Sequence, residues 1–138
     1  PFAMICTIRV NDDNDFRIEQ LTCAVDCGLV INPSVVRAQI EGGACFGLGM
    51  TLHGEVTLTE GRVDQQNFDG FQLLAIHAAP PVDVAIIPSV ELPLGVGEMS
   101  TPFVAPAIMN AIWDATGTRP DQLPLARAGY RYASRDQT

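Results

Sequence analysis

Glu98 is the side chain whose place in the sequence most favours chemistry. It lies in a glycine-containing loop, Leu92 to Pro102, directly before a predicted helix, and loops held by rigid elements often carry functional side chains. Val96 and Met99 would partly remove water from this carboxylate, which favours a general base. A carboxylate beside a helix N-terminus is also a common capping or dipole partner. Glu98 is therefore a candidate general base with a structural alternative.

A glycine-rich helix is the second feature that could serve a site. Asn32-Pro33 supplies an N-cap and a proline at the first helical position, which predicts a helix from Ser34 to about Met50. A glycine inside a helix costs about 1 kcal/mol relative to alanine, so repeated glycine indicates a close approach to the backbone. We expect the glycine face to pack against a sheet, and approach of a cofactor is the alternative. The glycines are Gly42, Gly43, Gly47 and Gly49.

The other reactive side chains form no recognisable catalytic pattern. His53 and His77 lie far apart without a serine or cysteine elbow motif, so a nucleophilic triad has no support. A phosphate-binding loop and a dinucleotide fingerprint are both missing. The cysteines have no CxxC spacing and no neighbouring histidine, so we predict buried, reduced thiols rather than metal ligands, in a reducing compartment. They are Cys6, Cys23, Cys27 and Cys45.

Composition limits the class of protein. The 138 residues carry a net charge of −8 at pH 7, and this acidity argues against nucleic-acid binding, which needs clustered positive charge. Hydrophobic residues make up 47% and charged residues 17%, compared with about 25% charged residues in a typical soluble domain. We therefore expect a folded chain that other protein partly covers.

The sequence also predicts where the chain resides. No apolar run is long enough for a membrane-spanning helix, and Pro1 begins no recognisable secretion leader. We therefore expect a soluble chain, a cut or truncated product, in the cytoplasm, or in the periplasm if a partner carries it there.

The element pattern predicts an α+β fold, with a mixed or antiparallel sheet and two main helices packed on one face. A single domain is expected over residues 3–125, followed by an arm over residues 126–138, and the stretch beyond Pro120 is predicted to be poorly structured. The predicted strands are Ala3–Val10 and Ile18–Cys27, which form a hairpin, Gly54–Leu58 and Arg62–Asn67, which form a second hairpin, and Val82–Pro88; the second helix is Phe103–Thr116, closed by Gly117.

Two groups of motifs resemble a known family. The first is Ala24-Val25-Asp26-Cys27-Gly28, Asn32-Pro33, Ala38-Gln39-Ile40-Glu41-Gly42-Gly43 and Phe46-Gly47-Leu48; the second is Gly95-Val96-Gly97-Glu98, with Asn110-Ala111-Ile112 and Ala115-Thr116-Gly117 after it. In this order and spacing they resemble the C-terminal part of the large subunit of molybdenum hydroxylases, the xanthine oxidase and aldehyde oxidoreductase family. The resemblance covers Ala3 to Leu125 and favours the branch of isoquinoline oxidoreductase and related aldehyde dehydrogenase large subunits.

The resemblance implies a molybdopterin-dependent oxidoreductase that oxidises an aldehyde or an N-heterocycle with oxygen derived from water. The family's catalytic glutamate, which acts as the general base, falls on Glu98. The cofactor would be shared with domains outside this chain, and iron-sulfur clusters would lie only on partner domains. The implied partners are the remainder of the large subunit and an iron-sulfur subunit. Substrate and electron acceptor are left open.

The resemblance also implies which residues approach the cofactor. Gln39, Gly42 and Gly43 match the segment packed near the pterin, and Gly47 and Gly97, which belong to the two groups of motifs, are also expected to approach the cofactor. Phe46 stands where xanthine oxidase-type members carry a glutamine, and Met99 stands where the family commonly has proline after the glutamate. No residue of this chain is expected to ligate the metal.

A different class of function stays open beside this one. The chain could be a degenerate or isolated non-catalytic domain that acts only in assembly with itself or a partner. In isolation we expect an inactive, cofactor-free chain that forms a homodimer, because apolar residues around Phe46, Val96 and Phe103 would need cover.

Overall fold

A four-stranded sheet with two long helices on one face is the framework of the chain, whose computed structural model describes residues 1–134. The predicted α+β class is confirmed. The main elements are β1 (Phe2–Val10), β2 (Asp15–Val25), α1 (Pro33–His53), β3 (Leu58–Thr59), β4 (Arg62–Val63), β5 (Val82–Ile86), α2 (Thr101–Thr116) and β6 (Arg131–Tyr132), with a short 3-10 helix at Ile76–Ala78.

The sheet is mixed and is built around β2. Strand β1 pairs with β2 antiparallel, and the turn between them is held by Asn11, whose side chain accepts hydrogen bonds from the backbone amides of Asp13 and Asp15 at 3.1 and 2.8 Å. Strand β5 pairs parallel with the second half of β2, and β6 pairs parallel with its beginning. The predicted first hairpin is confirmed.

Strand β2 carries one extra residue opposite β1. Thr7 pairs with Gln20 whereas Ile8 pairs with Ile18, which makes Glu19 the additional residue of a β-bulge. Because side chains alternate along a strand, this residue changes the parity of the positions that face the core. The buried positions of β2 are Phe16 and Ile18 before the bulge and Leu21, Cys23 and Val25 after it.

Each helix places a stripe of apolar side chains on the sheet. The positions recur every four residues, as expected for one face of an α-helix. They meet the buried side chains of β2 in two adjoining clusters, one around Leu21 and one around Cys23. The helical positions are Ile40, Ala44, Leu48 and Leu52 of α1 and Val104, Ile108 and Ile112 of α2.

Two predictions from the sequence are wrong: the length of the second hairpin and the lack of structure beyond Pro120. The second hairpin is present only as β3 and β4, two residues each, because all four residues are exposed and no face of the hairpin is buried. The stretch beyond Pro120 is ordered where it is described: Leu125 is fully buried, Tyr130 is buried, and β6 joins the sheet. Residues 135–138 of the predicted arm lie outside the described residues, so the domain boundary at residue 125 stays a prediction.

Among residues 1–134, no helix is both long and apolar enough to cross a membrane.

Candidate functional site

An open cleft of about 890 Å³ lies between α1 and the start of α2. The structure brings to it every residue that the sequence singled out as a candidate for the site. Fourteen residues line it: Gln39, Gly42, Gly43, Phe46, Gly47, Met50, Thr51, Gly54, Gly97, Glu98, Thr101, Pro102, Ala105 and Leu123.

One face of α1 forms the first wall of the cleft. Asn32 fixes where the helix begins, because its side chain accepts hydrogen bonds from the amides of Ser34 and Val35 at 3.1 and 3.3 Å. From that start, residues spaced three and four apart share a face. The face toward the cleft consists of Gln39, Gly42, Gly43, Phe46, Gly47 and Met50.

The glycines of α1 serve two different purposes. At Gly43 a Cβ would overlap the Ser100 hydroxyl, and at Gly47 it would lie 2.6 Å from the carbonyl oxygen of Thr101, so both allow α2 to approach α1 closely. At Gly42 a Cβ would meet nothing within 4 Å, so this glycine leaves the cleft wall bare. The prediction that the glycine face packs on the sheet is wrong, because α2 occupies that face.

The loop that carries Glu98 forms the opposite wall and is anchored at its beginning. The amide of Leu94 donates to the carbonyl of Cys27 at 2.8 Å, and the amide of Leu29 donates to the carbonyl of Glu91 at 2.8 Å. Gly28 lies between these bonds with φ +75°, and a Cβ there would overlap the carbonyl of Leu92. Glycine is therefore required at this crossing of two chain segments.

Glu98 itself is exposed at the rim of the cleft. It makes no hydrogen bond or ion pair with any residue in the part of the chain that the structure describes. Val96 and Met99 pack against the cluster around Cys23 instead of over the carboxylate, so the expected desolvation of Glu98 by these two neighbours is wrong.

The structure does not support the alternative that Glu98 caps α2. Helix α2 has Ser100 at its N-cap position, no acidic residue in its first turn, and no side-chain hydrogen bond to its cap. Glu98 lies before the cap and does not reach the free amides of the first turn.

The cleft wall is neutral except for Glu98. Its polar side chains are the amide of Gln39 and the hydroxyls of Thr51 and Thr101. Thr51 donates to the carbonyl of Gly47 at 2.7 Å and Thr101 to that of Gly43 at 3.2 Å, so the two hydroxyls are engaged with α1. The Gln39 amide nitrogen lies 3.5 Å from where a Gly97 Cβ would be, which brings the two walls together at this end.

Several lining residues were missed by the sequence analysis. Met50 shares the helical face of Gln39 and Phe46, and that spacing could have revealed it. Leu123 lies beyond Pro120, in the stretch that was predicted to be unstructured, and no sequence signal places it at the cleft. Phe46 and Met50 also border a second, mostly apolar cleft of about 490 Å³ under residues 71–79.

No histidine or cysteine is among the residues that line the cleft. Burial lowers the pKa of His53 and raises the pKa of Cys6 to about 12, which favours the neutral form of both groups. The pKa of Cys23 is raised to about 11, first by burial and then by Asp83. All four cysteines are free; Cys23 and Cys27 are buried, as predicted, whereas Cys6 and Cys45 are only partly buried. Among residues 1–134, no three His, Cys, Asp or Glu side chains are grouped so that they could hold a metal ion.

The chain is similar to known proteins along most of its length. A family model described as a molybdopterin cofactor-binding domain matches residues 2–80. The membrane-bound aldehyde dehydrogenase (pyrroloquinoline-quinone) of Gluconacetobacter polyoxogenes is 36% identical over 126 residues, which cover 89% of this chain and 16% of that protein. The isoquinoline 1-oxidoreductase subunit beta of Brevundimonas diminuta is 31% identical over 127 residues, which cover 91% of this chain and 16% of the relative.

A solved structure shares the fold. The reconstituted CO dehydrogenase from Oligotropha carboxidovorans superposes with a TM-score of 0.76 at 23% identity, over 89% of this chain and 17% of the other. The chain thus spans about one sixth of the length of the relatives it matches. The resemblance to molybdenum hydroxylase large subunits is confirmed.

Proposed function

The chain belongs to the molybdopterin cofactor-binding domain family, and from this membership we propose that it forms one wall of the active site of a molybdenum hydroxylase. One observation carries the proposal: Glu98 and the six residues proposed to approach the cofactor, Gln39, Gly42, Gly43, Phe46, Gly47 and Gly97, line a single cleft. The proposed substrate class is an aldehyde or an N-heterocycle, the two classes that the names of the relatives suggest.

The residues present fit a flat, neutral ring system such as a pterin. Gly42 and Gly97 leave the wall without side chains where a ring would lie, and Gln39 offers an amide that can both donate and accept hydrogen bonds at a ring edge. The cleft has no lysine or arginine in its lining, so we assign the cofactor's phosphate to residues outside this chain. When bound, the cofactor supplies the metal centre that activates a water molecule.

Glu98 is the proposed general base, which takes a proton from the activated water onto a carboxylate oxygen. Two features support this role. The carboxylate is exposed at the cleft and makes no hydrogen bond or ion pair with the described residues, so its oxygens are available to accept. Its loop is anchored at its beginning by the hydrogen bond from Leu94 to Cys27, and Glu98 lines the same cleft as Gly42 and Gly97. Cover from the rest of the large subunit would then desolvate the carboxylate.

The proposed partners are the remainder of the large subunit and an iron-sulfur subunit. The chain exposes 8610 Å², whereas a monomer of its mass exposes about 7,000 Å². The difference between these two exposed areas is larger than the area that one partner typically buries in a stable interface, about 800 Å². Bulky apolar side chains such as Ile31, Val90 and Leu92 are exposed. For the chain alone, a homodimer would cover part of this surface. The free cysteines suit a reducing compartment, and we propose the cytoplasm.

The same exposed apolar surface favours a second candidate, a non-catalytic domain that acts only in assembly. Purification of the large subunit containing this chain, together with its partner subunits, separates the two. We expect molybdenum and pterin near one per large subunit, and turnover with an aldehyde or an N-heterocycle. A stable complex without pterin and without turnover on either class would favour the assembly role and overturn the hydroxylase.

A further inference from the structure

Ser100 directs its hydroxyl to the other helix. It occupies the N-cap position of α2, where a serine ordinarily accepts a hydrogen bond from an amide in the first turn. Here it makes no such bond. The side chain is completely buried and donates to the carbonyl oxygen of Ile40 in α1 at 2.8 Å. A residue suited to capping its own helix therefore joins two helices instead.

Thr101 makes a second bond of the same kind one turn further along α1. Its hydroxyl donates to the carbonyl oxygen of Gly43 at 3.2 Å. Gly43 is also the position at which a Cβ would overlap the Ser100 hydroxyl, so the absence of a side chain there is what allows both bonds. We call Ser100, Thr101 and Gly43 the helix clamp.

The helix clamp anchors the end of the loop that carries Glu98. The loop is anchored at its beginning by the bond from Leu94 to Cys27, and Ser100 holds its end only two residues after Glu98. On the facing wall, Gln39 immediately precedes Ile40 in the sequence and Gly42 follows it by two residues. The distance between the Glu98 backbone and the proposed cofactor wall is thus fixed by contacts at both ends of a short segment.

We propose that Ser100 is a positioning residue, which holds Glu98 at the distance from α1 that proton transfer requires; this inference rests on the proposed function of Glu98. Positioning matters because a misplacement of about 1 Å lowers an enzymatic rate by about a hundredfold. Ser100 acts through the backbone of Met99 and Glu98 and makes no contact with the reacting atoms.

The first test measures the loop itself. The 138-residue parent chain would be compared with Ser100→Ala, which removes the hydroxyl and adds no bulk, by the rate at which a glutamyl endopeptidase cleaves after the exposed Glu98. We expect cleavage of Ser100→Ala at this bond to be about tenfold faster, as the loss of one buried hydrogen bond permits. The helical circular dichroism should be that of the parent, because Ser100 does not cap α2. Ser89→Ala, which removes only an exposed hydroxyl that accepts from Glu91 at 3.3 Å, is the matched control.

Gly43→Ala perturbs the helix clamp from the other side and should also increase the rate of cleavage after Glu98. Gly49→Ala, in the same helix, places its Cβ in ordinary contact with Leu74 at 3.5 Å and should leave the loop unchanged. An unchanged rate of cleavage after Glu98 in both Ser100→Ala and Gly43→Ala would overturn the proposal.

The second test separates positioning from general support of the fold. In the assembled enzyme, Ser100→Ala should lower kcat about ten- to a hundredfold when Glu98 is present. The same change should have little further effect in a Glu98→Gln background, because there is then no base to position. An equal loss of kcat in both backgrounds would show a structural role only and overturn the inference. Full turnover of Glu98→Gln alone would overturn the role of Glu98 as general base, on which the cleavage measurement does not depend.

Discussion

Gly47 of α1 and Thr101 of α2 touch backbone to backbone: a Cβ at Gly47 would lie 2.6 Å from the Thr101 carbonyl oxygen and 2.9 Å from a methyl group of Val104. The two helices that bear the cleft are therefore as close as a glycine allows. Because the contact is with backbone, it cannot be relieved by rotating a side chain.

Gly47→Ala should consequently destabilise the chain by about 1–3 kcal/mol, since overpacking forces the helices apart. Gly42→Ala in the same helix is the control, because its Cβ meets nothing within 4 Å and alanine raises helix propensity by up to about 1 kcal/mol. Urea unfolding of the two variants measures both effects. Equal stability of Gly47→Ala and the parent would contradict the close contact.

Glu98→Gln should lower turnover of the assembled enzyme by about two to four orders of magnitude, because the amide keeps the shape of the side chain and cannot take up the proton. Molybdenum content should stay near that of the parent. Glu91→Gln is the matched control, because it makes the same change in a nearby exposed side chain that does not line the cleft. Undiminished turnover of Glu98→Gln would contradict the proposed role of Glu98 as general base.

The ion pair between Asp15 and Arg131, 2.6 Å long, predicts a pH dependence of stability. The hydrogen bond from Arg131 lowers the pKa of Asp15 below its ordinary value of 3.8. A lowered pKa stabilises the fold above the unfolded value, and this contribution disappears as pH falls through the folded value. Asp15→Asn should therefore unfold at lower urea than the parent at pH 6, with the difference shrinking below pH 3.8.

Asp12→Asn is the control for that measurement, because Asp12 lies in the same turn and makes no ion pair with a described residue. It should follow the parent at both pH values. A difference for Asp15→Asn that persists undiminished at low pH would show that the ion pair is not its source.

Leu125 tests whether the stretch beyond Pro120 belongs to the core. The side chain is fully buried against the cluster around Leu21, so Leu125→Ala should destabilise the chain by about 2–5 kcal/mol through the cavity it leaves. Leu123→Ala, at a position that is 45% exposed, should cost much less. Thermal or urea unfolding measures both effects. Equally small losses of stability in the two variants would support the prediction that the stretch beyond Pro120 is poorly structured.

The isolated chain should self-associate and bind no molybdenum cofactor, because one wall makes only part of the contacts that hold the group. Val90 and Leu92 are 95% and 83% exposed, so changing both to aspartate should weaken association without loss of stability. Light scattering over a dilution series, with metal analysis of the same samples, measures both properties. A monomer at every concentration of the parent would contradict the association.

The sequence predicted the elements better than their contacts. Asn32-Pro33 marked the start of α1 because capping is a local property, and Gly117 marked the end of α2, which it closes with φ +73°. The sequence analysis named the wrong neighbour for the glycines of α1. A glycine indicates that another group packs closely, but it does not indicate which group that is. Strand β6 was missed because its partners in β2 are distant in sequence.

The candidate site was foreseen through motifs and not through spacing. Gln39 and Glu98 are far apart along the chain. At the level of sequence only the family resemblance linked them, and the structure places both in one cleft. Ser100 could not have been found this way, because a serine before a helix looks like an ordinary cap until its hydroxyl is seen to bond Ile40.

The parallel pairing of β6 with β2 has a consequence for how the protein forms during synthesis. Asp15 pairs with Arg131 and Phe16 with Tyr132, so one edge of the central strand stays unpaired until residues 116 positions further along the chain have been synthesised. Contacts between such distant segments slow folding, because a long loop must close before they form. Until then the beginning of β2 presents unpaired backbone groups, a surface to which another chain can add a strand. Nascent chains that stall before residue 131 should therefore depend most on chaperones.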